Sequence, residues 1–252
     1  MGYAPVSAVL KGLKVLEVVN RLGPASLRDI TDATGLPKAS TLRLLDTLQH
    51  AGYVSVMNES RRYIVTARVL SLSNNFRPDD ALLAAAVPVL KALRDRTGWP
   101  SDLGIYQHGK MVIADTNRQP GTFSINRSVG SRVPMTSTAL GRAYLAFCPD
   151  AERAAILDLL APLQEPDEAL ADSRDKLEKL IKKVRKQGYA TSNQELMKTI
   201  RAAAVPVRHD DQVVCCFNII VPAQVMSLTE LEQKYVPLLT AAARDIEQRH
   251  RG

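Results

Sequence analysis

The sequence predicts an α+β chain: an N-terminal winged helix-turn-helix domain, then a larger domain in which helices pack on a sheet. Two observations support this prediction. Residues 26–53 contain two helical apolar repeats, and a β-hairpin pattern follows at once, which is the order of a winged helix-turn-helix. After residue 100, helical repeats alternate with antiparallel hairpin patterns, which is typical of α+β folds.

A polar stretch with one proline, residues 74–80, separates the two patterns and marks the predicted domain boundary. We therefore predict a winged helix-turn-helix domain at 1–66, a linker helix at 67–80 and a second domain at 81–252. The first helix should run from Val6 to Leu22. Its apolar residues have helical spacing and should form the face that completes a three-helix core; they are Val9, Leu10, Leu13, Leu16 and Val19.

The second helix should begin at Ser26, because Ser26 and Asp29 have the spacing of a capping box. Gly35 and Pro37 suit the end of that helix and the start of the next. The apolar face of the second helix should consist of Leu27, Ile30 and Ala33.

The third helix should run from about Pro37 to Ala51, with Thr41, Leu44, Leu45 and Leu48 as its buried stripe. Its opposite face begins with small polar residues and carries one long cation, Arg43, as a helix in a DNA major groove requires. A solvated face on an ordinary helical hairpin is the alternative reading.

A predicted hairpin follows, with strands at 53–56 and 62–65 and a polar turn at 57–60. A hairpin directly after a second helix is the wing of a winged helix-turn-helix, and its tip would lie beside a phosphate backbone. The predicted DNA-contacting residues are Ser26, Lys38, Ala39, Ser40, Leu42, Arg43, Arg61 and Arg62.

The charge of the chain agrees with a DNA-binding N-terminal domain. The net charge is +7 and the pI is about 9.4. Residues 1–76 contain nine cations and five acids, so positive charge is denser in the smaller domain. Such an excess favours phosphate neutralisation, although it is modest.

In the second domain the sequence predicts a mixture of helices and strands. The predicted helices are 82–97, 138–147, 152–160, 173–187 and 228–249. The predicted strands are 102–107, 111–116, 122–127, 202–207 and 213–221, and residues 129–134 should form a loop.

Four segments together resemble the IclR-type bacterial transcription regulators, in their order and over nearly the whole chain. They are LPKASTLRLLDTLQHAGYV in the first domain, then PMTSTALGRAYLAF (134–147), GYATSNQE (188–195) and VVCCFNIIVP (213–222). RTGWPSDLGIY and AYLAFCPD are most similar to the subgroup that controls aromatic-acid (hydroxyphenylpropionate-like) catabolism. The resemblance implies a GAF-like effector-binding domain, double-stranded operator DNA, a small organic acid effector, and a homodimer or homotetramer.

The resemblance also implies effector-binding positions. The backbone N–H groups of Ala139 and Leu140, at a helix start, would bind a carboxylate, as free N–H groups at helix starts do; an ordinary capped helix is the alternative. The opposite wall would consist of Ser192 or Asn193, Ala202, Asn218 and Ile220.

Ser192 and Asn193 stand where a well-known small-acid binder of the family has acidic side chains, which favours an aromatic acid over glyoxylate or pyruvate. Arg127 or Arg132 could pair with the carboxylate. Apolar wall candidates, for which core packing is an equally good explanation, are Met135, Leu103, Ile105, Ile113 and Phe217.

Catalytic and cofactor-binding patterns are absent from the sequence. The four His show no metal-ligand spacing with Cys, and no P-loop, dinucleotide fingerprint or nucleophile elbow occurs. We therefore expect no enzyme, cofactor, metal or membrane partner. Two alternatives stay open: a hydrolase acting through Ser137 or Cys148, and a constitutive DNA-binding protein with a structural C-terminal domain. With no signal-peptide pattern, no long apolar stretch and three Cys, we expect a bacterial cytoplasmic protein.

Overall fold

The computed structural model describes residues 4–57, 60–73, 80–118, 127–163, 166–168, 173–210 and 212–251. The chain folds as two compact units, Met1–Arg77 and Pro78–Gly252.

The first unit is a winged helix-turn-helix, as predicted. Three helices precede a two-stranded antiparallel sheet and a short 3₁₀ helix, and the predicted polar turn at Asn58 and Glu59 lies outside the described residues. The elements are α1 (Ser7–Leu22), α2 (Leu27–Thr34), α3 (Lys38–His50), β1 (Val54–Met57), β2 (Arg62–Val65) and the 3₁₀ helix Ala67–Ser73. Their core contains Val15, Val19, Ile30, Leu45 and Val54.

The predicted buried face of α1 is wrong over the first half of the helix. Val9, Leu10 and Leu13 are 57%, 56% and 51% exposed, whereas Leu16 and Val19 are buried as predicted. The buried residues of α1 are Val15, Leu16, Val18 and Val19, so the rest of the unit packs mainly against the second half of this helix.

Two further predictions for this unit need correction. In α2, Ala33 is exposed and Thr34 is buried. The described part of the predicted linker helix is the 3₁₀ helix 67–73, and residues 74–79 lie outside the described residues. The Thr66 hydroxyl donates to the Gly52 carbonyl and accepts the Arg68 N–H, which fixes the start of the 3₁₀ helix.

The second unit is an α+β domain, and its described residues form a six-stranded antiparallel sheet with strand order β5-β4-β3-β8-β7-β6. Its helices are α4 (Asp80–Thr97), α5 (Ala139–Phe147), α6 (Asp150–Leu160), α7 (Arg174–Gln187) and α8 (Leu228–Arg251). Its strands are β3 (Asp102–Gln107), β4 (Lys110–Thr116), β5 (Arg132–Val133), β6 (Ala190–Asn193), β7 (Ile200–His209) and β8 (Gln212–Pro222).

Two strands were not predicted. β5 lies within the predicted loop 129–134, and β6 is only four residues long. Neither segment is long enough to show a period-two pattern, so both become strands only by pairing with β4 and β7. The predicted strand 122–127 lies, except for its last residue, outside the described residues.

The sheet separates two hydrophobic cores, because successive strand residues point to opposite faces. Residues of α5, α6 and α7 pack on one face, and residues of α4 and α8 pack on the other. Along β8, Cys215 and Phe217 face the α4/α8 core, whereas Cys216 and Ile220 face the α5 side, so the two adjacent cysteines point to opposite faces as expected.

α5 lies unusually close to the chain that precedes it. A Cβ added to Gly141 would lie 2.3 Å from the Cα and the carbonyl oxygen of Met135. Glycine at this position therefore permits the contact that places the start of α5 beside the sheet.

Candidate functional site

α2 begins with the predicted capping box. The Ser26 N–H donates to the Asp29 carboxylate at 2.9 Å, and the Asp29 N–H donates to the Ser26 hydroxyl at 3.2 Å. These hydrogen bonds lower the pKa of Asp29. The Ser26 hydroxyl also donates to the Asp29 carboxylate. In the first unit Ser26, one of the predicted DNA-contacting residues, therefore fixes the start of α2.

The outward face of α3 carries the predicted DNA-contacting residues. Thr41 and Leu45 are fully buried, and Leu44 and Leu48 pack partly buried against the same core. On the opposite side Ser40 is partly exposed, and the fully exposed members of the set are Lys38, Ala39, Leu42 and Arg43. Among the described residues, the Arg43 side chain has no ion-pair or hydrogen-bond partner. A long cation is thus available on a surface that begins with small residues.

The wing places the two predicted arginines at its tip. Arg61 is exposed, with a left-handed φ of 50°. The exposed Arg62 donates to the Pro24 carbonyl at 3.0 Å. Backbone hydrogen bonds between Ala25 and Tyr63 of 3.1 and 2.8 Å join the same two segments. The wing is therefore fixed to the chain that leads into α2.

In the second unit, a pocket lies where β6, β7 and β8 meet the start of α5 and the loop 194–197. The space within it for the centres of water-sized molecules is about 20 Å³, which is room for about one water. Five predicted effector-binding residues line it: Ala139, Ser192, Ala202, Asn218 and Ile220.

The structure places the other three predicted residues elsewhere. Met135 and Leu140 are fully buried in the α5-side core, and Asn193 is exposed, with its side-chain oxygen accepting from Arg201 at 2.7 Å. Periodicity explains the division: Ser192 and Asn193 point to opposite faces of β6, and Leu140 is about 100° around the helix from Ala139.

The apolar wall candidates are also core residues. Leu103 and Phe217 lie in the α4/α8 core, and Ile105 packs against that core. Ile113 belongs to the α5-side core.

The turn before α5 is already engaged by a carboxylate of the protein. The buried Glu168 accepts the N–H groups of Met135 and Thr136, both at 2.8 Å, and the Lys110 ammonium at 2.9 Å. Thr138 caps α5 by accepting the Gly141 N–H at 3.0 Å. The start of α5 is thus fixed, and its first two N–H groups, those of Ala139 and Leu140, lie at positions where helices leave N–H groups free.

Two arginines contribute positive charge to the lining of the pocket. Arg118 and Arg127 both line it and are nearly buried, whereas Arg132 is exposed and donates to the His108 carbonyl. Sequence reasoning did not identify Arg118 or its partner Asp102. The predicted hairpin contained the signal, because its register pairs Asp102 with Thr116 and so brings residue 118 close to Asp102.

The two candidate nucleophiles have no activating group in the part of the chain that the structure describes. Burial raises the pKa of the Cys148 thiol to about 12, so the thiolate is scarce at neutral pH. The Ser137 hydroxyl is buried without a hydrogen-bond partner among the described residues, so none of these residues is placed to act as its base. The described residues contain no cluster of three or more His, Cys, Asp or Glu suited to a metal ion, and none of their helices is both long and apolar enough to span a membrane.

Comparison with known proteins gives a consistent family assignment for both units. The C-terminal domain of bacterial IclR transcriptional regulators matches residues 79–248, and the IclR helix-turn-helix domain matches residues 8–56. The Pca regulon regulatory protein of Pseudomonas putida is 28% identical over 244 residues, which cover 96% of this chain and 83% of that protein.

Two crystal structures share the fold. An IclR family transcriptional regulator from Brucella abortus has a TM-score of 0.69 at 25% identity, covering 97% of this chain and 92% of that chain. An IclR homolog from Microbacterium hydrocarbonoxydans, complexed with 4-hydroxybenzoate, has a TM-score of 0.68 at 19% identity, covering 97% and 99%.

Proposed function

Because this chain belongs to the IclR family of bacterial transcriptional regulators, we propose that it controls transcription in response to a small, aromatic organic acid. In this family assignment the first unit is the DNA-binding helix-turn-helix domain and the second is the effector-binding domain. We further propose that it acts in the bacterial cytoplasm, where operator DNA lies.

The outward face of α3 is the observation on which the DNA-binding proposal rests. Arg43 is exposed and unpaired among the described residues, while the Leu44, Leu45 and Leu48 side fixes the helix to its own domain. A helix held in this way can enter the major groove, where an arginine can bind guanine bidentately. The wing arginines would neutralise phosphates on the flanking backbone.

We propose that a homodimer or homotetramer binds the operator. One helix-turn-helix reads too few base pairs for tight specificity, so symmetric half-sites one or more helical turns apart are expected. The exposed apolar residues of α1, Val9, Leu10 and Leu13, support self-association of the first unit, since exposed apolar patches commonly mark protein interfaces.

Two observations support an aromatic acid as effector. The pocket is lined by two arginines and by apolar residues such as Ala202 and Ile220. The IclR homolog from Microbacterium hydrocarbonoxydans, which shares the fold, is complexed with 4-hydroxybenzoate. An aromatic ring needs more room than about 20 Å³, but Leu196 and Met197 on the loop that closes the pocket are only partly buried. We propose that this loop moves when the effector enters.

The effector can act only through a difference in affinity between two arrangements of the oligomer. The test is selection of an operator from random duplexes, followed by titration of the selected duplex with and without candidate acids. We expect a two-fold symmetric site whose affinity changes with an aromatic acid. Failure to select any sequence would refute sequence-specific regulation.

The small pocket volume favours one alternative, a constitutive DNA-binding protein whose second domain is purely structural. A thermal-shift screen separates the two functions, because only a sensor is stabilised by a specific acid. A selected operator whose binding no acid changes would support the constitutive alternative.

A further inference from the structure

A buried charged cluster lies in the wall of the pocket. Asp102 is completely buried at the start of β3, and one of its carboxylate oxygens lies 2.9 Å from Arg118 Nη2 and 3.8 Å from Arg127 Nη1. The other oxygen accepts the Thr116 hydroxyl at 2.7 Å. The Asp102 N–H donates to the side-chain oxygen of Asn218 at 2.8 Å. Asp102 is thus held in place by β4 and β8.

The charges of this cluster do not balance. Two guanidinium groups, with side chains 3% and 8% exposed, face one carboxylate. The other ion pair at the pocket, Arg142 with Glu195 at 2.8 Å, is neutral as a pair. The described pocket wall therefore carries one uncompensated positive charge, and an unpaired buried charge is costly for a protein to maintain.

The unpaired charge belongs mainly to Arg127. The only carboxylate among the described residues that forms an ion pair with Arg127 is Asp102, and the 3.8 Å from Nη1 to Oδ2 is too long for a hydrogen bond. Burial lowers the pKa of Arg127 to about 10, which still leaves the group charged at neutral pH. The protein thus keeps a cation in the pocket without a full partner among its described residues.

Unused hydrogen-bond donors point to the same place. Arg118 Nε and the Ser137 hydroxyl are buried and have no hydrogen-bond partner among the described residues, and both residues line the pocket. Each group can donate, and buried donors are normally satisfied. Asp102 Oδ2 is also buried without a hydrogen-bond partner, but it is the single carboxylate oxygen that faces both guanidinium groups. What these described residues lack is a second anionic acceptor.

We propose that Arg118 and Arg127 bind the carboxylate of the effector, with the Ser137 hydroxyl as a further donor, and that Asp102 limits the accepted charge to one. The ligand class is a monocarboxylate, neutralised by the single excess charge, whose apolar body lies toward Ala202 and Ile220. This inference rests on the proposed function, since it names the chemistry of the same pocket.

The first experiment compares benzoate with benzamide, its uncharged analogue of similar shape, by calorimetry on the wild-type protein. Benzoate should bind and benzamide should bind at least ~30-fold more weakly, because the buried charge pair would be lost. Acetate, which needs no widening of the pocket, should also stabilise the protein against heat. Equal binding of benzoate and benzamide, or no effect of benzoate or acetate, would overturn the proposal that Arg118 and Arg127 bind a carboxylate.

Arg127→Gln should lower benzoate affinity by roughly 30-fold or more. Arg132→Gln is the matched control: Arg132 is an exposed arginine outside the pocket, and its loss should leave benzoate affinity within about two-fold. Equal losses in the two variants would contradict the assignment. The wild-type comparison above needs no variant, so it decides the matter if Arg127→Gln does not fold.

Asp102→Asn tests the charge count itself. It raises the charge of the pocket wall from one to two, so the affinity ratio of phthalate, a dicarboxylate, to benzoate should rise about ten-fold or more. An unchanged ratio would refute the role of Asp102. Operator binding measured in parallel separates the two proposals. The proposed carboxylate site is refuted if ligand charge does not affect affinity, whereas the proposed function is refuted if no operator is selected.

Discussion

Gly141→Ala should destabilise the effector-binding domain, because α5 lies against the backbone of residue 135. The new Cβ would lie 2.3 Å from the Met135 Cα and from its carbonyl oxygen, well inside normal van der Waals contact. Backbone rather than a flexible side chain must move, so the strain should reach about 3 kcal/mol or more. Alanine in place of glycine returns only about 1 kcal/mol of helix propensity.

The expected net loss is about 2 kcal/mol or more of unfolding free energy. Trp99 is the only tryptophan of the chain and lies in the second unit, so its fluorescence during urea unfolding reports on that domain alone. The N–H groups of residues 135 and 136 donate to Glu168, and the next residue, Ser137, lines the pocket. Displacement of this turn should therefore also weaken binding of the effector.

Gly12→Ala is the matched control, since it is also a glycine within a helix. The nearest atom to its added Cβ is a Leu44 methyl at 3.8 Å, which is ordinary contact. The variant should stabilise the first unit by up to about 1 kcal/mol and leave the Trp99 transition unchanged. A Gly141→Ala protein whose Trp99 transition stays within about 0.5 kcal/mol of wild type would refute the packing argument.

Three further predictions concern the two sites. Arg43→Ala should weaken operator binding by about 1–3 kcal/mol and relax the preference for one base. Fluorescence anisotropy with operator variants measures both effects, and Arg28→Ala, at an exposed position of α2, is the control. An unchanged base preference would show that Arg43 does not contact a base. Asn218→Leu should weaken effector binding while leaving DNA binding intact, because it removes a polar pocket residue and the acceptor of the buried Asp102 N–H; an unaltered affinity by calorimetry would contradict its place in the site. Ser26→Ala should cost the first unit about 1 kcal/mol through loss of the cap, measured by far-UV circular dichroism, and an unshifted urea midpoint would show that the capping box contributes nothing.

Local patterns in the sequence were sufficient for the DNA-binding domain. The capping box at Ser26, the apolar stripe of α3 and the hairpin after it are all relations between residues a few positions apart. The prediction failed where an outcome depended on distant neighbours, as for Leu10 and Leu13: their spacing is helical, but no described element of the unit covers them.

For the pocket, the resemblance identified the segments and the structure decided between neighbouring residues. It placed Ser192 inside and Asn193 outside, and Ala139 at the pocket and Leu140 in the core. A side chain's direction follows from strand alternation or helix rotation, but the register that fixes it is set by pairing with other strands.

The sequence by itself predicted the helix-turn-helix and its wing, because helix faces, caps and hairpin turns are local and appear directly in the order of residues. The kind of protein was indicated by the family resemblance of four segments. Only the tertiary structure decided which charged groups meet in the pocket. The β3–β4 pairing brings Asp102 and Arg118 together. Arg127 and Ser137, which lie further along the chain before α5, line the same pocket. Their common burial creates the excess positive charge, and burial is a property of the folded chain rather than of any one segment.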